Sequence, residues 1–273
     1  MMQTSNPHVP QNLRIAFIGG GNMGAALAGG LLASGFVAPT DLVIVEVIAA
    51  RREQLTAMFP GVTISPLITL YGSAVIAVKP PDVPAAAQSA VTAGASRVLS
   101  IAAGVTIKTL EAACGSGVAV IRAMPNTPAL VGEGASAIAG GAHANEVDIA
   151  WAEAVLGSVG LVVRVPETQL DVVTGLAGSG PAYLFLVAEA LMDAGVASGL
   201  PRTTAETLVR QLFVGSAKLL AQGEAPADLR ASVTSPGGTT AAGVSVLETE
   251  AVRAAFIQAV KAATDRSREL GNR

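Results

Sequence analysis

The chain has 273 residues, of which 51% are hydrophobic, 14% charged and 3% aromatic, and its formal net charge is −3. This length allows two domains, and the charge gives no electrostatic basis for binding nucleic acid or an anionic membrane. Cys114 is the only cysteine, so an intrachain disulfide is excluded and a reducing, cytoplasmic compartment fits best.

The first part of the chain alternates short runs rich in Val and Ile with helix-sized segments. This alternation predicts a parallel α/β sheet, and continuous apolar runs are typical of strands covered on both faces. We place this domain at residues 13–165 and read residues 1–12 as a frayed extension with no secretory-signal pattern. The expected strands are 14–19, 42–47, 74–78, 98–102, 118–122 and 161–165.

From about residue 171 onward the pattern is helical only. The segments 181–199 and 201–223 each begin with Pro and end at Gly, as helices commonly do, and a last helix is expected over 249–270. We therefore predict an all-α domain over 166–273. Its apolar stripes and the low charge of the chain favour burial between subunits, and we see no run that reads as a membrane span.

A glycine-rich segment, Gly19-Gly20-Gly21-Asn22-Met23-Gly24, follows the first strand and opens a helix. It matches G-x-G-x-x-G between a strand and a helix, which is the context that makes this motif informative. In that context the glycines let a pyrophosphate approach the backbone at the helix N-terminus. Glu46 lies at the end of the next strand. In dinucleotide-binding sheets a carboxylate at this position binds the adenosine ribose. A Rossmann-like, dinucleotide-binding doubly wound sheet is favoured, with a structural glycine turn as the alternative.

Two further segments follow expected strands, at the edge where doubly wound sheets bind ligands. Lys79 stands between Val78 and the pair Pro80-Pro81, and Asn126 lies in the proline-flanked segment 124–128. Each offers polar groups to a ligand. The alternatives are a solvated strand-end lysine and an ordinary rigid turn.

The segment 231–243, ASVTSPGGTTAAG, carries more hydroxyl groups than a helix–helix connection requires. Pro236-Gly237 suits the central positions of a type II turn, and Thr239 or Thr240 is expected to cap the next helix. Free amides and hydroxyls at a helix start suit a small carboxylate. An ordinary interhelical cap is the alternative, and the segment 177–181 (AGSGP) is a second helix start open to both interpretations.

Strong general acids and bases are scarce in this sequence. The histidines are His8 and His143, and neither belongs to a Cys/His spacing that suggests a metal. We expect His143 on a surface loop. The chemistry should then depend on hydride delivery and positioning.

Five motifs, in order along the chain, resemble the pyrroline-5-carboxylate reductase family, and the similarity runs from about residue 13 to 270. They are 17–24 (FIGGGNMG), 77–80 (AVKP), 122–128 (RAMPNTP), 178–183 (GSGPAY) and 233–240 (VTSPGGTT). The resemblance implies reduction of 1-pyrroline-5-carboxylate to L-proline with NADPH or NADH, the last step of proline biosynthesis. It also implies a homodimer with interlocked helical domains, often assembled into a decamer.

The resemblance also implies roles for individual residues. Thr240 matches the threonine thought to hydrogen-bond the substrate ring nitrogen, and Glu167 matches a residue near bound proline. The other substrate-site residues it implies are Ser235, Gly237, Gly238 and Thr239. The cofactor residues it implies are Ile18, Gly19, Gly20, Gly21, Asn22, Met23, Ala77, Val78, Lys79 and Pro80, and we expect Gly24, Glu46 and Asn126 beside them.

Three positions depart from the family pattern. Ala177 stands where Ser is more common, Pro81 where Gln is common, and Glu46 where Asn is often found. Because a carboxylate repels a 2′-phosphate, we expect NADH to be used at least as well as NADPH. Arg51 and Arg52, a turn into the next helix, are expected farther from the ribose than Glu46.

Two other classes of protein stay open at this point. A β-hydroxyacid dehydrogenase shares the cofactor fold but normally carries a catalytic Lys with a nearby Asn, which Lys218 lacks. A nucleotide-binding module that has kept the fold without catalysis is the second. Turnover of NAD(P)H with pyrroline-5-carboxylate separates all three.

Overall fold

The computed structural model describes residues 14–68 and 72–271, so the expected extension over 1–12 lies outside the described residues. Contacts divide the described chain into two units. One comprises the residues up to Gly178 together with those from Ala262 onward, and the other comprises Ser179–Lys261. The domain boundary that we place at residue 165 from the sequence stays a prediction.

A single sheet organises the first unit, and among the described residues it has eight strands in the order β3-β2-β1-β4-β5-β6-β7-β8. Neighbouring strands are parallel except β6 and β7, which are antiparallel. The strands are β1 (Ile15–Ile18), β2 (Leu42–Val45), β3 (Thr63–Ser65), β4 (Ser73–Ile76), β5 (Arg97–Ser100), β6 (Ala119–Met124), β7 (Gly134–Gly140) and β8 (Gly160–Arg164). The order reverses where β1 separates β2 from β4, which is the switch point at which such sheets bind ligands.

The doubly wound fold expected from the sequence is confirmed, and all six expected strands are present with small shifts at their ends. Strands β3 and β7 were not predicted. The sequence of β7, GASAIAG, has low intrinsic strand preference. It forms because its backbone fits between β6 and β8, so tertiary pairing decides its conformation.

Helices cover both faces of the sheet and bury an apolar core on each. The first-unit helices are α1 (Asn22–Ala33), α2 (Ala49–Met58), α3 (Val83–Thr92), α4 (Ile107–Cys114), α5 (Glu146–Gly157) and α6 (Leu170–Val173). One core contains Phe17, Leu27 and Trp151, and the other contains Val98 and Leu110. Each large apolar side chain buried in this way stabilises the fold by about 1.5–3 kcal/mol.

The second unit is helical. Its elements are α7 (Gly180–Ala197), α8 (Arg202–Leu220), α9 (Pro226–Ser232), α10 (Thr239–Thr249) and the first part of α11 (Val252–Gly271). The expected helices near 181–199 and 201–223 are confirmed, and Gly199 and Gly223 follow them with φ of +102° and +91°. The helix expected from residue 249 instead begins at Val252, after Ala251 with φ +54°.

From the sequence we expected no membrane span, but one helical run among the described residues, Glu167–Ala197, is long and apolar enough to cross a membrane by length and composition. Only 17% of its most apolar 18-residue window is buried. In α7, for example, Phe185 and Leu186 are 64% and 66% exposed. Exposed apolar surfaces of this kind usually mark a site of contact with another protein or with a membrane.

Candidate active site

The glycine loop lies between the end of β1 and the start of α1, and at Gly19 and Gly24 it leaves no room for a side chain. Gly19 has φ +108°, and a Cβ there would lie 2.5 Å from the carbonyl oxygen of Ala77. A Cβ on Gly24 would collide with the Gly19 carbonyl oxygen. Both positions therefore require glycine, and the loop packs directly against the end of β4.

The N-terminus of α1 is open to an anion. Its N-cap residue, Gly21, has no side chain to accept from the first amides, and the first turn holds no acidic residue. A Cβ on Gly21 would meet nothing within 4 Å. Free helix amides facing open space fit a pyrophosphate, so these residues suit the cofactor that the motif implies.

Glu46 lies directly beyond β2 and is bonded to the glycine loop. Its Oε2 accepts from the backbone N–H of Gly20 at 3.1 Å, and its Oε1 accepts from the N–H of Ile48 at 2.9 Å. The side chain is half-buried. Each carboxylate oxygen keeps further acceptor capacity, so the same group can receive ribose hydroxyls.

Two arginines of α2 reach back to this edge of the sheet. Arg51 Nε donates to the Gly20 carbonyl oxygen at 2.8 Å. Arg52 donates to the carbonyl oxygens of Glu46 and Val47, at 3.1 and 2.8 Å. Their distance from a bound ribose, relative to that of Glu46, stays a prediction, but these bonds place positive charge against the glycine loop in a way the sequence did not reveal.

The segment after β4 runs beside the glycine loop. The amide of Ala77 donates to the Ile18 carbonyl oxygen at 2.8 Å. Lys79 is exposed at the start of a 3₁₀ turn, Pro80–Asp82. The structure thus brings the expected cofactor residues of β1, β2 and β4 together at one edge of the sheet.

Glu167 occupies a polar cluster in the first unit. Its Oε1 accepts from Arg122 Nη1 at 3.1 Å and from the Ile107 amide at 2.6 Å. Arg122 Nη2 also lies 3.3 Å from Asp171 Oδ1, which accepts from the Ser267 hydroxyl at 2.7 Å. Arg122 is buried on β6, so these carboxylates compensate a cation whose isolation would be costly. Glu167 as a substrate contact stays a prediction.

Asn126 follows β6 and is nine-tenths buried. Its Oδ1 accepts from the Ala135 amide at 2.8 Å, and its Nδ2 donates to the Ala177 carbonyl oxygen at 3.1 Å. The side chain thus joins two backbone segments. Asn126 as a cofactor contact stays a prediction.

The hydroxyl-rich segment forms a tight turn in the second unit. Gly237 has φ +69°, and the Gly238 amide donates to the Ser235 carbonyl oxygen at 3.0 Å, as a type II turn requires. The cap of α10 is Gly238, without a side-chain hydrogen bond. The expectation that Thr239 or Thr240 would cap this helix is therefore wrong, because α10 begins at Thr239 and both threonines lie in its first turn.

This correction leaves the start of α10 more open than expected. The first three amides, of residues 239–241, have no partner within the helix, and no acidic residue lies in the first turn. Thr240 is half-buried, whereas Ser235 and Thr239 are exposed. An uncapped helix start with adjacent hydroxyls suits a carboxylate.

Two reactive residue types lie away from these sites. His143 is exposed in a turn, as expected. Cys114 is buried at the end of α4, and burial, followed by the neighbouring Glu111 carboxylate, raises the pKa of its thiol to about 11. A thiol of this kind is largely unreactive near neutral pH.

Known proteins resemble the chain over almost its whole length. A family model described as pyrroline-5-carboxylate reductase dimerisation matches residues 167–270, and one described as NADP oxidoreductase, coenzyme F420-dependent, matches residues 14–104. The pyrroline-5-carboxylate reductase of Synechocystis sp. is 42% identical over 269 residues, covering 96% of this chain and 100% of the relative. The Arabidopsis thaliana enzyme of that name is 39% identical over 277 residues, 97% and 98% of the two chains.

Solved structures agree with these relatives. A pyrroline-5-carboxylate reductase from Coxiella burnetii aligns with a TM-score of 0.88 at 34% identity, covering 95% of this chain and 98% of that one. The Plasmodium falciparum pyrroline carboxylate reductase with NADP bound aligns with a TM-score of 0.81 at 29% identity, covering 96% and 99%. By identity and coverage, the chain belongs to the pyrroline-5-carboxylate reductase family.

Proposed function

We propose that this protein reduces 1-pyrroline-5-carboxylate to L-proline, the final step of proline biosynthesis, with NADPH or NADH as the hydride donor. The observation that carries the proposal is the near full-length match to reductases of that name. The structure adds a glycine loop with no room for a side chain at Gly19 and Gly24, and a helix α1 without a side-chain cap; both features suit a dinucleotide.

The reaction places modest demands on the protein. When bound at the glycine loop, the nicotinamide cofactor would supply one hydride for the imine carbon; with one proton from solvent on the imine nitrogen, substrate, hydride and proton together give L-proline. The protein must then hold the imine carbon in line with the hydride donor and exclude water. Orientation of this kind can supply about 7–11 kcal/mol of the barrier reduction.

The residues that we propose for the substrate are those of the turn and first helical residues 235–240. The amides at the start of α10 bind the substrate carboxylate, helped by the hydroxyls of Ser235 and Thr239. The Thr240 hydroxyl hydrogen-bonds the ring nitrogen and orients the imine. Gly237 and Gly238 keep the turn compact. Glu167 is proposed as a further substrate contact on the family resemblance alone.

The cofactor residues that we propose extend from Ile18 to Gly24, then Glu46 and Ala77 to Pro80. Asn126, which the sequence also indicates as a cofactor residue, is assigned below to positioning, because both ends of its side chain already bond backbone groups. Glu46 binds the adenosine ribose and disfavours a 2′-phosphate, so NADH serves at least as well as NADPH. Support for this preference comes from the held position of the Glu46 carboxylate. Arg51 and Arg52 are already bonded to backbone carbonyls.

The working form that we propose is a cytoplasmic homodimer with interlocked helical domains, and five such dimers would form the decamer that the resemblance implies. The cofactor domain spans residues 13–165, and the dimerisation and substrate domain spans 166–273. In this assembly the exposed apolar faces of α7 and α8 cover those of a second copy, so the run Glu167–Ala197 contacts protein and not lipid.

The test is oxidation of NADH or NADPH by the purified protein with 1-pyrroline-5-carboxylate, followed by identification of L-proline. A small β-hydroxyacid, supplied with NAD⁺ or NADP⁺, serves as the competing substrate. Turnover of the imine alone supports the proposal. Turnover of the hydroxyacid alone identifies a β-hydroxyacid dehydrogenase, and cofactor binding without turnover identifies a nucleotide-binding module; either would overturn it.

A further inference from the structure

We infer that Asn126 is a positioning residue for the reduction: its side-chain amide holds the π-helical turn Thr174–Gly178 against the carboxyl end of β6, at the ligand-binding edge of the sheet. The inference rests on the proposed function. It concerns the residues that set reaction geometry, which neither the motifs nor the relatives assign to Asn126.

The carbonyl group of Ala177 explains why a side chain is needed there. In a continuous α-helix this oxygen would accept from the amide four residues on, but residue 181 is proline, which has no N–H. Asn126 Nδ2 supplies the missing donor at 3.1 Å. The contact is partly buried, and a fully buried carbonyl without a partner costs about 1–3 kcal/mol, so this bond helps to hold the turn.

The other end of the Asn126 side chain is equally fixed. Its Oδ1 accepts from the Ala135 amide at 2.8 Å, near the start of β7. The residue itself is nine-tenths buried directly after β6 and Pro125. A rigid side chain therefore bridges the sheet and the turn, with one hydrogen bond to each.

The turn also packs closely on β6. A Cβ on Gly178 would lie 2.6 Å from Met124 Cε, so the glycine permits this approach. π-Helical turns are rare and often occur at functional sites. Gly178 also begins the segment 178–183, one of the five motifs that carry the family resemblance. A displaced turn would therefore alter this motif without removing any group that we propose for the substrate.

Asn126→Asp separates the two hydrogen bonds. An ionised aspartate still accepts from Ala135 but has no donor for the Ala177 carbonyl oxygen, and it faces that oxygen with negative charge. A protonated aspartate regains a donor. Activity lost through the turn should therefore return on acidification, and a general loss of packing would not produce that pH dependence.

The experiment compares wild type, Asn126→Asp and Asn126→Ala by kcat, KM and hydrogen exchange over segment 174–182. We expect kcat of Asn126→Asp at about pH 8 to fall on the order of tenfold, with the KM for the cofactor within about twofold. Burial should raise the pKa of the introduced aspartate above its ordinary value of about 3.9, so that part of it is protonated at about pH 5.5. Relative to wild type at the same pH, kcat should therefore rise again towards about pH 5.5, and segment 174–182 should exchange faster at the higher pH only. Asn126→Ala should lose activity at both pH values.

The matched control is Asn145→Ala, which removes the capping box of α5 at the opposite edge of the sheet. It should lower Tm, because such a cap is worth about 1 kcal/mol, yet leave kcat unchanged. Wild-type kcat in Asn126→Asp, or a loss that does not change with pH, would overturn the inference. The exchange measurement needs no turnover, so failure of the proposed reaction and failure of this inference remain distinguishable.

Discussion

Glu46 and Gly20 are joined by a hydrogen bond in which Glu46 Oε2 lies 3.1 Å from the Gly20 amide nitrogen. The carboxylate that we propose for the ribose is therefore also bonded to the glycine loop. Arg51 bonds the carbonyl oxygen of the same glycine. If Glu46 binds the ribose as proposed, a substitution that changes cofactor choice will also act on the conformation of this loop.

Replacing Glu46 by Asn should raise kcat/KM for NADPH about tenfold and leave the value for NADH nearly unchanged. Like charges 4 Å apart at a partly exposed site repel by roughly 4 kcal/mol before the solvent relaxes around them. A third of that energy already corresponds to about a tenfold change in affinity for NADPH. Asn keeps an acceptor for the Gly20 amide. Initial rates with both cofactors check this, with Glu53→Gln, an exposed residue of α2, as the charge control. A wild type that prefers NADPH tenfold or more would contradict the preference.

Replacing Thr240 by Ala should lower turnover on the order of 10- to 150-fold and leave NAD(P)H affinity nearly unchanged, because one hydrogen bond to a charged group is worth about 1.5–3 kcal/mol. Steady-state kinetics and cofactor titration measure the two effects separately. Thr249→Ala is the control, since Thr249 ends the same helix and bonds the Ser245 carbonyl oxygen. Unchanged kcat/KM in Thr240→Ala would remove Thr240 from the mechanism.

Strand periodicity and turn chemistry made much of this fold predictable. Runs such as Leu42–Val45 are buried throughout, and a continuous apolar sequence of this kind predicts a strand that is covered on both faces. The positive φ of Gly237 follows from Pro236-Gly237. The glycine loop was likewise predictable, because Gly19 and Gly24 allow close approaches to backbone carbonyl oxygens that a Cβ would block.

What the sequence could not show depends on long-range contacts. Strand β7 is Gly- and Ala-rich and gains its conformation from its neighbours. The reach of Arg51 to Gly20 crosses 31 positions of sequence. The π-helical turn has no sequence signature of its own, and only the missing N–H of Pro181 hints that Ala177 needs an outside donor.

Exposed apolar side chains of the helical unit predict an obligate assembly. Leu212 on α8 is 53% exposed, and Leu212→Glu should dissociate the protein into a form with little activity, since a buried interfacial charge costs several kcal/mol. Light scattering and activity across protomer concentration check this. Met58→Glu, at the end of α2 and 52% exposed, is the control and should change neither. A stable, fully active wild-type monomer would contradict the prediction.

Cys114 predicts a loss of stability at alkaline pH. The pKa of the folded thiol is raised from 9.0 to about 11, so its contribution to the free energy of unfolding is complete below about pH 9 and is lost as the pH rises through about 11. Urea denaturation of wild type and Cys114→Ala across this range checks it. The difference between the two should shrink with rising pH; a constant difference would contradict the buried, protonated thiol.

The central claim is that this protein transfers a hydride from the nicotinamide ring to the imine carbon of 1-pyrroline-5-carboxylate. The most direct measurement supplies NADH or NADPH deuterated at C4, on the face that delivers the hydride, and analyses the product by mass spectrometry. Our account predicts L-proline heavier by about one mass unit, with the label on the former imine carbon. Unlabelled proline, or oxidation of the cofactor without proline, would contradict it.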